Sequence, residues 1–138
     1  LDREEMGPVW AAGFERTTSY FAGLGATVVV MTDTPWLPFN PPECLSQNPQ
    51  DAGACTYDRD AAQRDVALTA AEEPIVKRDS RLHHIDPAPL ICDQDRCGVI
   101  SDEGVITYRD SHHLTRTYSL SLVDGIEELL RPIVDELR

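Results

Sequence analysis

An α/β fold with a mainly parallel sheet and a small β-hairpin is predicted by three features of the sequence. A continuous β-branched run at 26–31 follows a helical segment directly; a second short strand signal at 83–86 follows another helical segment; and two β-prone runs flank an Asp-Glu-Gly turn within 99–108. Alternation of helix and strand signals is what a parallel sheet requires, because each crossover must return the chain to the starting edge.

The first helix is read from Trp10, Phe14, Tyr20, Phe21 and Leu24, which mostly recur at helical spacing and are expected in the core rather than lining a ligand pocket. Gly25 ends it. The run from Ala26 to Met31 is apolar without alternation, as in a strand buried on both faces. It stops at Asp33-Thr34-Pro35, and loops after the C-terminal ends of such strands lie on the ligand-binding edge. Asp33, Thr34 and Trp36 are therefore the candidate substrate-binding residues, with packing beneath the following loop as the alternative for Trp36. Residues 36–60, dense in Pro, Asn, Asp and Gly, read as a long surface excursion. A helix is expected over 61–73, ended by Pro74, then a short strand over 83–86 closed by Pro87. The hairpin over 99–108 leads into a loop at 110–113, and Thr115 is placed to cap a last helix that Pro132 kinks or ends.

The 138 residues suit one domain. Acidic residues outnumber basic ones by 24 to 12, and the net charge of −12 repels a phosphate backbone, so nucleic acid is excluded as a partner. The longest apolar run falls far short of the ~20 residues that cross a bilayer. The sequence opens at Leu1 without an initiator Met, so it is read as part of a longer product, with any anchor or export signal in the remainder.

Four cysteines fall into two local pairs, Cys44 with Cys55 and Cys92 with Cys97, which cost the least loop-closure entropy to join. Two short-range disulfides are expected and imply an oxidising, extracytoplasmic compartment. Free thiols or a zinc site are the alternatives, although the CxxC spacing of zinc sites is absent. Other metal ligands would come from His83, His84 and Asp86 or from Asp93 and Asp95. Adjacent histidines on a strand point to opposite faces, however, and Asp-Gln-Asp between cysteines suits a turn, so no metal and no cofactor is expected.

The chemistry is concentrated in Tyr108-Arg-Asp-Ser-His-His-Leu-Thr115. An aspartate three residues before a histidine can turn its carboxylate onto Nδ1, fixing the tautomer that leaves Nε2 basic. Asp110 and His113 are the candidate catalytic pair, His113 as general base and Asp110 as its orienting anion. His112 is expected to diverge from His113 and face solvent.

Asp-Thr-Pro after a strand, Pro-Pro-Glu-Cys-Leu, Ile-Asp-Pro before the second cysteine pair, and Tyr-Arg-Asp-Ser-His-His-Leu-Thr together resemble the C-terminal SGNH (Ser-Gly-Asn-His) domain of actinobacterial membrane acyltransferases. The resemblance runs from about Trp10 to the last helix. It implies an SGNH/flavodoxin-like three-layer sandwich, incomplete at its N-terminus, and places the family's Asp and His on Asp110 and His113. The implied partners are an extracellular saccharide or glycolipid substrate and a membrane acyltransferase domain of the same longer polypeptide. The family's nucleophile lies in a Gly-Asp-Ser block near the start of the domain, with oxyanion donors on a Gly and an Asn. No Gly-Asp-Ser occurs here, so the serine is expected upstream of Leu1 and the chain alone is expected to be inactive. A catalytically inactive binding module of the same fold is the alternative. With a first strand missing, the isolated chain is also expected to dimerise, aggregate or hold an associated N-terminal fragment.

Overall fold

Helix α1 (Arg3–Gly23) ends in a Schellman arrangement. Gly25 adopts φ +85°, its amide donates to Ala22 O at 3.0 Å, and the Ala26 amide donates to Phe21 O at 3.2 Å. A Cβ at Gly25 would be strained in this left-handed conformation, which is why a glycine stops the helix here. The structure is a computed structural model describing residues 3–138, and its chain forms two compact units. The first takes the chain up to Thr32 and again from Asp65 to Asp86; the second takes Asp33–Arg64 and Pro87–Arg138.

In the first unit, β1 (Val28–Met31) pairs in parallel with β3 (Leu82–Ile85), with Val28 opposite Leu82 and Met31 opposite Ile85. Helix α4 (Val66–Val76) packs with α1 around Ala22, Ile75 and Leu82, joined by Ala11, Phe14, Val28 and Val76. The inward stripe of α1 is thus Ala11, Phe14, Thr18 and Ala22, mostly small residues at helical spacing that let two helices approach closely. Of the aromatic residues expected in the core, Phe14 is there, whereas Trp10, Tyr20 and Phe21 are exposed. Trp10 donates from Nε1 to Glu72 Oε1 at 2.7 Å, and His84 Nε2 lies 3.0 Å from Glu72 Oε2, so both oxygens of this buried carboxylate are satisfied.

The strand expected to be buried on both faces alternates instead, with Val29 and Met31 37% and 55% exposed. Apolar β-branched residues mark a strand, but two-sided burial also needs a second covering layer. The helix expected over 61–73 is divided into α3 (Arg59–Ala62) and α4. Asp58 caps α3 through the Ala61 amide, and the break at 63–65 is where the chain passes from one unit to the other. Pro74 lies inside α4 rather than ending it; it and Ala70, whose carbonyl loses its amide partner, are both exposed, so water can replace the missing donor.

The second unit has a core of Leu37, Cys55, Ala62, Ile91, Cys92, Cys97, Val99, Tyr108 and Tyr118. Helix α2 (Pro41–Gln47) and a 3₁₀ turn at Ala52–Cys55 are joined by a Cys44–Cys55 disulfide with Cα atoms 5.9 Å apart. Strand β2 (Tyr57–Asp58) pairs antiparallel with β4 (Arg96–Cys97), and Cys92–Cys97 closes the turn after α5 (Ala88–Ile91) with Cα atoms 4.2 Å apart. The hairpin turn forms around Gly104, at φ +77°, with an Ile100–Ile106 bridge and Thr107 N to Val99 O at 3.0 Å. Thr115 caps α6 (Arg116–Ser121) through the Tyr118 amide. Helix α7 (Val123–Glu136) runs through Pro132, again on exposed backbone.

Candidate functional site

The loop at 108–114 is a second hairpin, and everything proposed for chemistry sits at its tip. Its ends are tied by the antiparallel Tyr108–Leu114 bridge, by Arg109 N to His113 O at 2.9 Å and by Thr115 N to Thr107 O at 2.8 Å. Its base is anchored by Tyr108, wholly buried, whose hydroxyl donates to Pro35 O at 3.0 Å. Burial, and to a lesser degree the neighbouring Tyr118, push that hydroxyl well above its ordinary pKa, so it remains a donor.

Within the tip, Asp110 folds back on its own backbone, as short acidic side chains do in turns. Asp110 Oδ1 accepts from the His112 amide at 3.0 Å and the His113 amide at 2.8 Å. His113 Nδ1 lies 3.0 Å from Oδ1 and 2.9 Å from Oδ2 of the same carboxylate. The backbone amide of His112, then that of His113, hold the Asp110 carboxyl far below the usual carboxylate range against the opposing effect of burial, with the His113 ring adding a smaller share. An anion fixed at Nδ1 draws the ring hydrogen to that nitrogen and leaves Nε2 as the basic atom. Among the described residues nothing is hydrogen-bonded to Nε2, and the His113 side chain is 52% exposed.

The structure brings Asp33, Thr34 and Trp36 to this same tip. Thr34 Oγ1 donates to His112 O at 2.9 Å, and the Leu37 amide donates to Ser111 O at 2.8 Å. Trp36 donates from Nε1 to Asp33 Oδ2 at 3.0 Å and stacks on His112 at a centroid distance of 4.3 Å and 20° between planes. The Arg64 guanidinium lies 4.7 Å from the centroid of the same indole. His112, expected to turn away into solvent, is instead a packed member of the site. Its ring lies 4.0 Å from that of His113 and its Nδ1 lies 3.0 Å from Ser111 Oγ. Adjacent side chains diverge on an extended strand, but the Asp110 turn curls this backbone and lets the rings meet. Sequence reasoning did not place Arg64 here, and it gave Tyr108, which opens the segment where the chemistry is concentrated, no role of its own.

Of the other residues weighed as metal ligands, His84, Asp86 and Asp93 are otherwise engaged, Asp86 by accepting from Thr32 Oγ1 at 2.9 Å. His84 faces Glu72, and Asp93 Oδ1 accepts the amides of Arg96 and then Asp95, which makes it a turn residue and lowers its pKa. Among the described residues one group of three potential ligands exists: Asp110, His112 and His113.

No helix among the described residues is long and apolar enough to cross a membrane, and the two disulfides fit an extracytoplasmic domain. No curated protein and no solved structure matches the chain. A family model described as "SGNH domain (fused to AT3 domains)" matches residues 2–128. With nearly its whole length covered by that model, and an Asp–His pair presented at a loop tip, the chain belongs to the SGNH domains found fused to acyltransferase-3 domains.

Proposed function

We propose that this domain supplies the acid–base half of a serine esterase or O-acyltransferase acting on acyl groups of cell-envelope saccharides or glycolipids, on the outer face of the membrane and in one polypeptide with a membrane acyltransferase domain. The observation that carries the reading is the His113 ring, held at Nδ1 by both oxygens of Asp110 while Nε2 has no partner among the described residues. A serine Oγ–H presented to Nε2 would lose its proton as it attacks the acyl carbonyl. The resulting imidazolium, stabilised by Asp110, would return that proton to the departing hydroxyl. An acceptor hydroxyl would repeat the cycle on the acyl-serine, giving transfer, and water would give hydrolysis. The family's description supports an acyltransferase or esterase type of module and a membrane acyltransferase domain in the same polypeptide.

The nucleophile in this reading comes from outside the chain described. Ser111, the serine nearest the pair, turns its hydroxyl to His112 Nδ1 and not to His113. Asp33, Thr34 and Trp36 would border the substrate, although Thr34 and Asp33 also spend hydrogen bonds on His112 and Trp36. The missing nucleophile equally suits a binding module that keeps the fold without turnover. Fluorophosphonate labelling of the complete polypeptide separates the two. One serine should be labelled, and His113→Ala should abolish labelling; no labelled serine, or labelling indifferent to His113, defeats the catalytic reading.

A further inference from the structure

We propose that Asp110, His112 and His113 form a site for a divalent transition cation of the zinc type, which on binding takes the His113 base out of service. One ligand atom from each residue lies within 4.8 Å of the others. His113 Nδ1 is 2.9 Å from Asp110 Oδ2, and His112 Nδ1 is 3.6 Å from Asp110 Oδ1. Zinc bonds nitrogen and oxygen at about 2.0–2.2 Å, which sets ligand–ligand edges of roughly 3.3–3.5 Å in a tetrahedron. Taken at the one oxygen Oδ1, the edges are 3.0 Å to His113 Nδ1 and 3.6 Å to His112 Nδ1 and bracket that range; with all three ligand atoms within 4.8 Å of one another, side-chain rotations close three corners and leave the fourth for water.

The surroundings favour the chelate. Two backbone amides pin the carboxylate between the imidazoles, and Trp36 holds the His112 ring by stacking, so little ordering remains to be done on binding. All three side chains reach solvent, being 34%, 35% and 52% exposed for His112, Asp110 and His113. The chain's net charge of −12 also draws cations to its surface.

The arrangement sets the chemistry. A cation bound at His113 Nδ1 displaces the hydrogen held there against Asp110, and the neutral ring then carries its one proton on Nε2. An Nε2–H cannot accept a proton from serine. The same carboxylate–imidazole pair would therefore serve the reaction when free and stop it when chelated. Binding follows from the geometry alone; only the inhibitory consequence rests on the role proposed for His113.

Isothermal titration of the purified chain with zinc chloride, with cobalt(II) absorption as a second probe, tests the site. One zinc per chain is expected, with a cobalt spectrum of low coordination number. Loss of one outer-shell partner typically costs ten- to a hundredfold in metal affinity, so loss of a ligand should cost at least ~10-fold. His112→Ala and Asp110→Asn should each show that loss, and Asn preserves an oxygen for the two amides. His83→Ala should bind as the parent does. Histidine nitrogen shifts of the unsubstituted chain should move at His112 and His113, with the His113 proton on Nε2; this holds as a test even if a variant fails to fold. Absence of saturable binding, affinity unchanged in His112→Ala and Asp110→Asn, or shifts confined to His83 and His84 would each overturn the site. None of these outcomes bears on fluorophosphonate labelling, so the functional reading stands or falls separately.

Discussion

Replacing Tyr108 with Phe removes one oxygen from a fully buried ring, and with it the donor that ties Pro35 to the base of the loop carrying Asp110 and His113. Pro35 is itself fully buried, and the Tyr108 hydroxyl is the donor to its carbonyl among the described residues. With both residues fully buried, solvent has no path to replace the donor, so the carbonyl stays unpaired. A typical hydrogen bond contributes about 1 kcal/mol net, but an orphaned buried acceptor costs about 1–3 kcal/mol. We expect Tyr108→Phe to destabilise by about 2 kcal/mol. Tyr118 provides the internal comparison: its hydroxyl donates to Leu90 O at 3.1 Å, and Leu90 is only half-buried, so water can replace the lost donor. Tyr118→Phe should cost about 1 kcal/mol or less. Urea denaturation followed by circular dichroism reads both. At a slope of about 1–3 kcal/mol/M, the midpoint for Tyr108→Phe should fall by roughly 1 M with the slope unchanged. A loss under about 0.5 kcal/mol, or one no larger than that of Tyr118→Phe, would refute the claim that this hydrogen bond anchors the loop.

The disulfides differ in the length of chain they close, with sequence separations of 11 for Cys44–Cys55 and 5 for Cys92–Cys97. On the chain-entropy account their loss should cost about 3 and about 2 kcal/mol respectively; paired Cys→Ala variants in thermal melts should fall in that order, and the reverse order would show that packing of the buried sulfurs outweighs loop closure. Asp79, hydrogen-bonded by the side chain and then the amide of Arg81, is held down at about 2. Because its folded pKa lies below its unfolded value of about 4, its contribution is complete above that pH and is lost as pH falls toward 2. A carboxyl-carbon NMR titration of Asp79 should therefore show its midpoint near 2, and a midpoint near 4 would mean the Arg81 contact does not persist in solution.

Local signals were legible in the sequence where a single residue type dictates a backbone state. Gly25 stops α1 because φ +85° favours glycine, Gly104 sits at φ +77° in its turn, and Thr115 caps α6 through its own hydroxyl. Asp110 and His113 belong to the same class, since a carboxylate three residues ahead of an imidazole in a turn needs no distant partner to reach it. Less legible was anything decided by what lies on the other side of an element. Val29 and Met31 have the composition of a doubly buried strand, yet burial depends on a covering layer that composition does not encode. The inward stripe of α1 is made of Ala11, Thr18 and Ala22 around Phe14, so a search for large apolar residues selects the wrong face.

His112 shows the same division inside the site. From the sequence alone it is a polar residue beside a catalytic candidate; its contacts with Trp36 and, through its carbonyl, with Thr34 come from a segment more than 70 positions away. That long-range support argues against an idle loop residue. A ring stacked on an indole and tilted against that of the proposed base limits where the base can swing, and its Nδ1 stands within reach of the carboxylate that orients that base. The adjacency of two histidines, which in an extended segment would aim them apart, becomes chemically significant only because Asp110 bends the backbone beneath both. In the proposed reading one carboxylate both fixes the tautomer of His113 and forms part of the cation site that cancels it, so a substitution at Asp110 should disturb both properties while one at His112 should disturb chiefly the second.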